Sequence, residues 1–198
     1  MPQPAPTSDK APPSRLPWLT LFVGMLAVVA WFWPGAFDLL VYDRGKIFGG
    51  QLWRIVTGHW VHFSARHLFW NLVVLIPAGV WLERRDTTCL IWTLLLSPVA
   101  IGLALLAFEP PLTSYAGISG VASAVLVALA VHGLRTEPRA RWLWLAVLVL
   151  FATKVGMESF GDLPLNPELA TQGVHSVPLA HLVGATVGVA TALSRRRR

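Results

Sequence analysis

The residues Pro110–Leu134 read PPLTSYAGISGVASAVLVALAVHGL and contain no Asp, Glu, Lys or Arg. A helix needs about 20 apolar residues to cross the hydrocarbon core of a bilayer. The stretch therefore predicts a membrane-spanning helix that begins at a Gly-x-Ser-Gly segment, Gly117–Gly120.

The rest of the chain repeats this pattern of long uncharged runs. Its 198 residues are 55% hydrophobic and only 13% charged, whereas a soluble domain carries about 25% charged residues. We predict an all-α membrane protein with six transmembrane helices in one domain, residues 16–194. The predicted helices are 16–35, 67–82, 87–108, 116–134, 141–157 and 174–194. The Pro-rich residues 1–15 are predicted to be a disordered cytoplasmic tail, and residues 195–198 a basic cytoplasmic tail.

The distribution of Lys and Arg predicts the orientation. Eleven of the 16 basic residues fall on the side that holds both termini, and the positive-inside rule places that side in the cytoplasm. The loop 36–66 is then outside. The run Arg195–Arg198 is expected to face anionic lipid as a topology anchor, so the predicted partner is the bilayer and not a nucleic acid.

Polar groups are costly inside a membrane and indicate function. At the predicted outer depth they come from four separate segments. These are Gln51–His62, the i, i+4 pair His67 and Asn71, the segment Tyr115–Gly120, and His181 with Gly184 and Gly188. Their convergence at one depth predicts a functional site.

The residue types in these segments fit nucleophilic catalysis. Ser119 lies where a Gly-containing loop enters a helix, and the unpaired N–H groups of a helix N-terminus favour negative charge. A neutral His181 within hydrogen-bond reach of Ser119 could act as its general base. His67 and Asn71 share one helix face and can donate hydrogen bonds to an oxyanion.

Each feature also has a simpler interpretation. Gly-x-Ser-Gly can be only a Gly-rich helix start, and a membrane histidine such as His181 can be a structural hydrogen-bonding group. Zinc at His59, His62 and His67 would lack the usual accompanying carboxylate, so neither metal nor cofactor is expected. Glu83 is by default an interfacial charge near basic neighbours.

Taken together, three motifs in this order resemble the rhomboid family of intramembrane proteases. The first is Trp53-Arg54, His62, His67, Asn71 and Glu83 at family spacing. The second is Gly117-Ile-Ser119-Gly120, and the third is Ala180-His181-Leu-Val-Gly184-Ala-Thr-Val-Gly188. The resemblance covers roughly residues 16–194.

The resemblance implies a six-helix rhomboid bundle with a water-filled cavity open to the outside. It implies a catalytic dyad of Ser119 and His181 without an aspartate, with His67 and Asn71 as oxyanion donors. Other residues are implied to be structural: Trp53 and Arg54 brace the first outer loop, Glu83 stabilises the fold, and Gly117 and Gly120 shape the loop at the serine. Gly184 and Gly188 are implied to pack the sixth helix on the fourth, and Tyr115 to help seat a substrate.

Within the family, the segment Gly49–Arg54 and the triplet Thr57-Gly58-His59 resemble the rhombosortase branch. That branch is bacterial and processes proteins with a Gly-Gly-type C-terminal sorting tail. The expected substrates are single-pass proteins with a C-terminal anchor, cut at the periplasmic face of the inner membrane. Two alternatives are a catalytically weak relative that only binds membrane clients, and a small transporter, although the predicted midplane lacks Asp and Glu.

Overall fold

The computed structural model describes residues 16–160 and 176–195. The predicted tail at 1–15, the start of the predicted helix at 174, and residues 196–198 of the basic tail lie outside the described residues. Helices dominate the described ranges. They are α1 Trp18–Phe32, α2 Ala36–Leu40, α3 Arg44–Phe48, α4 Arg54–Thr57, α5 Ala65–Phe108, α6 Ser119–Thr136, α7 Arg141–Phe160 and α8 Pro178–Ser194, with a 3₁₀ turn at Pro138–Ala140. Two short strands, β1 Tyr42–Asp43 and β2 Ser114–Tyr115, pair antiparallel with Tyr42 opposite Tyr115.

Three helical stretches in the described ranges are long and apolar enough to cross a membrane: Ala65–Phe108, Ser119–Thr136 and Pro138–Phe160. α1 and α8 are shorter apolar helices. Large hydrophobic side chains are exposed along these elements, among them Phe22, Leu95 and Leu150. Exposed apolar surface on this scale indicates a membrane protein, because in water it would drive aggregation.

Helix α5 covers the two predicted segments 67–82 and 87–108, and it is broken between them. Asp86 has non-helical torsion angles of φ −146° and ψ 83°. Its carboxylate accepts a hydrogen bond from the Cys89 N–H at 2.9 Å, which is the N-cap arrangement for a new helix. Both ends of α5 contact the segment 42–62: His67 lies against His62, and Arg44 donates to the Leu106 carbonyl. The two halves are therefore antiparallel, with Asp86 at the turn between them.

A buried carboxylate fastens α1 to α5. Pro17 precedes α1 and provides no side-chain cap, and Glu83 takes over that role from a distant part of the chain. Its oxygens accept from Leu19 N at 3.0 Å, Thr20 N at 2.9 Å and Thr20 Oγ1 at 2.7 Å. A carboxylate is favourable at a helix N-terminus. Glu83 therefore caps α1, a contact that the default interpretation as an interfacial charge did not predict.

Polar contacts join the helix ends at the opposite end of the bundle from His67. Arg135 at the end of α6 donates to the carbonyls of Ala192 and Arg195, which satisfies terminal groups of α8. Arg195 also pairs with Asp86 at 3.2 Å. These contacts set the depth of α6 and α8 relative to α5, and so the relative depth of the residues at their other ends.

Candidate active site

The loop before α6 has a shape that requires glycine. Gly117 has φ 129°, a conformation that side-chain-bearing residues rarely adopt. A Cβ at this position would lie 2.6 Å from His67 Cε1, so the ring of His67 lies directly against the loop. Ile118 is the N-cap and Ser119 is the first residue of α6. Ser119 therefore lies among the N–H groups that have no partner within the helix.

Glycines bring α8 into backbone contact with α6. A Cβ on Gly120 would be 2.9 Å from the Ala180 carbonyl oxygen. A Cβ on Gly184 would overlap the Gly120 carbonyl, and one on Gly188 would overlap the Ala124 carbonyl. Small residues permit such close approach of membrane helices. The contact places Ala180, and with it the adjacent His181, beside the start of the helix that carries Ser119.

His67 and Asn71 have ring and amide nitrogens that are available as donors. Within residues 16–160 and 176–195, the buried atoms His67 Nδ1 and Asn71 Nδ2 find no hydrogen-bond partner in the protein. Buried polar groups are normally paired, and an unpaired one needs an explanation. The structure thus brings His67 to the Gly117 loop.

Tyr115 stabilises the loop that precedes α6. Its hydroxyl donates to the Gly117 carbonyl at 3.1 Å. Burial raises the pKa of Tyr115 to about 12, so the hydroxyl keeps its proton. Tyr115 thus contacts the backbone of the loop that precedes the serine.

His59 and His62 hold the loop between α1 and α5 against the helices. His59 Nε2 lies 3.0 Å from the Pro98 carbonyl of α5, and His62 Nε2 accepts from the Ile118 N–H at 3.4 Å. Burial lowers the pKa of His59 to about 4 and that of His62 to about 3, so both rings are neutral. No group of three or more His, Cys, Asp or Glu residues in the described part of the chain is placed to hold a metal ion.

Arg54 and Trp53 join the turns of the loop between α1 and α5. The Arg54 guanidinium, only 3% exposed, donates to the carbonyls of Val41 and Asp38 at 2.7 and 2.8 Å. Trp53 Nε1 donates to the Leu39 carbonyl at 3.2 Å. Because Gly58 accepts from the Gly117 N–H at 3.1 Å, the position of this loop is transmitted to the segment that precedes Ser119.

One residue at the site was not found from the sequence. Glu158 of α7 places Oε2 at 2.8 Å from His181 Nδ1, although the resemblance implied a histidine with no carboxylate partner. Lys154 and Glu158, spaced i, i+4 near the end of an otherwise apolar segment, are the signal that could have drawn attention to it. The pairing itself needs the contact between α7 and α8, which spacing does not reveal.

A family model described as Rhomboid domain matches residues 49–198 of this chain. The match covers more than half of the chain. The matched range includes every candidate site residue from Trp53 to Gly188. A search of curated proteins finds no match to this chain.

Proposed function

This chain belongs to the rhomboid family, whose members are usually intramembrane serine proteases, and on that premise we propose that it is an intramembrane serine endopeptidase. Ser119 is its nucleophile and His181 its general base. The observation that carries the proposal is the backbone contact of α6 and α8 at Gly120 and Ala180. That contact supports the pairing, because Ser119 directly precedes Gly120 and the buried His181 directly follows Ala180.

The proposed reaction is acyl transfer in two steps. The Ser119 Oγ proton passes to His181 Nε2 while Oγ bonds to the scissile carbonyl carbon. The C–N bond then breaks, and His181 gives the proton to the leaving amine. Water repeats the sequence in place of the serine and releases the new C-terminus.

The oxyanion that forms on the carbonyl oxygen needs donors that are already in place. The unpaired Nδ2 of Asn71 and the ring of His67, together with the N–H of Ser119, are proposed to provide them. Removing one such donor typically lowers kcat by about 10²–10³-fold. Asn71→Ala is expected to lower kcat by up to that factor and to change KM little.

Purified protein in detergent or liposomes, incubated with single-pass substrates, tests the proposal directly. Ser119→Ala and His181→Ala should each abolish cleavage, and the double variant should lose no more than either single one, because the pair acts as a unit. Turnover by Ser119→Ala near that of the wild type would refute the assignment. Absence of cleavage by the wild type would favour the alternative of a catalytically weak, client-binding relative.

The proposed topology has six transmembrane helices with both termini in the cytoplasm of a bacterium. The halves of α5 would count as two spans, since each is about 30 Å long at 1.5 Å per residue. With Cys89 replaced by Ala, single cysteines at Leu52 and Thr136 should react with impermeant reagents from opposite sides of the inner membrane. Labelling of both from one side would contradict this topology.

The proposed substrate is a single-pass protein with a C-terminal anchor, cut near the periplasmic face in a Gly- or Ala-rich stretch. A bond inside a regular helix is hydrogen-bonded, and Gly destabilises a helix by about 1 kcal/mol relative to Ala, so such a stretch unwinds readily. The similarity of Gly49–Arg54 to rhombosortases favours Gly-Gly-type tails. Mass spectrometry of the released product would locate the cut, and a cut on the cytoplasmic side would rule out this substrate class.

A further inference from the structure

The imidazole of His181 is held by a carboxylate from a neighbouring helix. His181 Nδ1 lies 2.8 Å from Glu158 Oε2, and each side chain is only 6% exposed. The other oxygen of Glu158 pairs with Lys154 Nζ at 2.7 Å. Lys154 Nζ lies 3.5 Å from the same ring nitrogen, which is the limit of a hydrogen bond.

These distances determine which ring nitrogen carries the proton. An ionised carboxylate only accepts hydrogen bonds, so a contact of 2.8 Å requires a proton on Nδ1. If Nδ1 accepted from Lys154 instead, the proton would lie on Nε2, but the contact with Lys154 is 0.7 Å longer. With the proton on Nδ1, the lone pair of Nε2 is free to take the Ser119 proton.

We propose that Glu158 is the positioning residue of the catalytic histidine, so that the site is a Ser119–His181–Glu158 relay of hydrogen bonds rather than a dyad. The inference rests on the proposed protease function. Glu158 keeps its charge throughout, fixes the Nδ1–H tautomer, and stabilises the imidazolium that forms when Ser119 gives up its proton. Lys154 holds the second carboxylate oxygen and keeps Glu158 aligned.

A purely structural alternative is that Lys154 and Glu158 form an i, i+4 ion pair that stabilises the end of α7, and that His181 merely touches it. The two interpretations differ in what they predict for catalysis. A structural pair affects folding, and either partner's removal should have the same effect. A positioning carboxylate affects kcat, and its own removal should cost far more than removal of Lys154.

The kinetic test compares Glu158→Gln with Lys154→Gln and with Glu83→Gln. The amide at 158 keeps the shape but can donate to Nδ1, which selects the wrong tautomer. We expect kcat to fall by about 10²–10⁴-fold, as for other histidines that lose an orienting carboxylate, with KM changed less than threefold. Glu83→Gln alters a buried carboxylate that lies far along the chain from His181. It should lower the melting temperature without lowering kcat selectively over KM. Lys154→Gln should lower kcat less than tenfold.

Two kinetic outcomes would overturn the proposal: kcat of Glu158→Gln within threefold of wild type, or an equal loss in Lys154→Gln.

A second measurement does not depend on turnover. In ¹⁵N-histidine-labelled Ser119→Ala protein, the His181 resonances, identified by their loss in His181→Ala, should show a proton on Nδ1, and Glu158→Gln should change them. A proton on Nε2 in the Ser119→Ala protein would refute the assignment. If the wild type cleaves no substrate and Ser119 fails to react with a fluorophosphonate, the proposed function fails, whereas the ¹⁵N spectrum still reports on the Glu158 contact.

Discussion

Replacing Glu83 by Gln should destabilise the protein through α1, and the structure gives the size of the effect. The carboxylate accepts three hydrogen bonds, from Leu19 N, Thr20 N and Thr20 Oγ1, between 2.7 and 3.0 Å. The Gln amide has the same shape but only one accepting oxygen, so at least one buried donor loses its partner. A hydrogen bond to a charged group contributes about 1.5–3 kcal/mol, and a lost helix cap costs about 0.5–2 kcal/mol.

Because these contributions overlap, we expect a loss of about 2–4 kcal/mol in the free energy of unfolding. For a chain of this size that lowers the melting temperature by roughly 4–16 °C. The single cysteine provides the probe, since Cys89 is fully buried and a thiol-reactive dye reaches it only on unfolding. Heating the purified protein in detergent with the dye therefore gives the midpoint directly.

Thr20→Val is the matched control, because it removes one of the three donors and keeps the shape of the side chain. It should cost less than Glu83→Gln, and its cost should shrink when Gln already occupies position 83, as residues in direct contact are not additive. A midpoint for Glu83→Gln within 2 °C of wild type would refute the capping role. So would a Thr20→Val effect that is the same in both backgrounds.

Two further predictions concern the contacts that position the site. Gly184→Ala should lower stability by about 1–3 kcal/mol and reduce cleavage, because its methyl group would overlap the Gly120 carbonyl and separate α8 from α6. In the control Gly156→Ala the methyl group meets open space, so this change should be neutral or slightly stabilising. Equal effects of the two changes would contradict the packing argument. Arg54→Lys should lower stability by about 1–3 kcal/mol in the same dye assay. A Lys ammonium cannot reproduce the forked guanidinium that reaches two carbonyls at once, so a buried acceptor is left unpaired. A melting curve identical to wild type would show that the guanidinium is dispensable.

The glycines of the third motif show how far spacing alone can go. Gly184 and Gly188 follow His181 on one helix face, and from that pattern a close helix contact could be predicted. Residue type and helical period determine such a face, because every helix repeats about every 3.6 residues. The start of α6 at Ser119 was predictable to within a few residues for a similar local reason, since glycine at 117 permits the turn.

Charge and hydropathy along the chain likewise predicted a helical membrane protein, because the bilayer requires long apolar helices whatever their partners are. What the chain pattern could not supply is the identity of long-range partners. Glu83 reads as an interfacial charge until α1 is docked, because its three donors lie more than 60 residues away. Glu158 was not found from the sequence for the same reason. The contact of Glu158 with His181 depends on how α7 packs against α8. The packing of whole helices determines this, and no local sequence preference does.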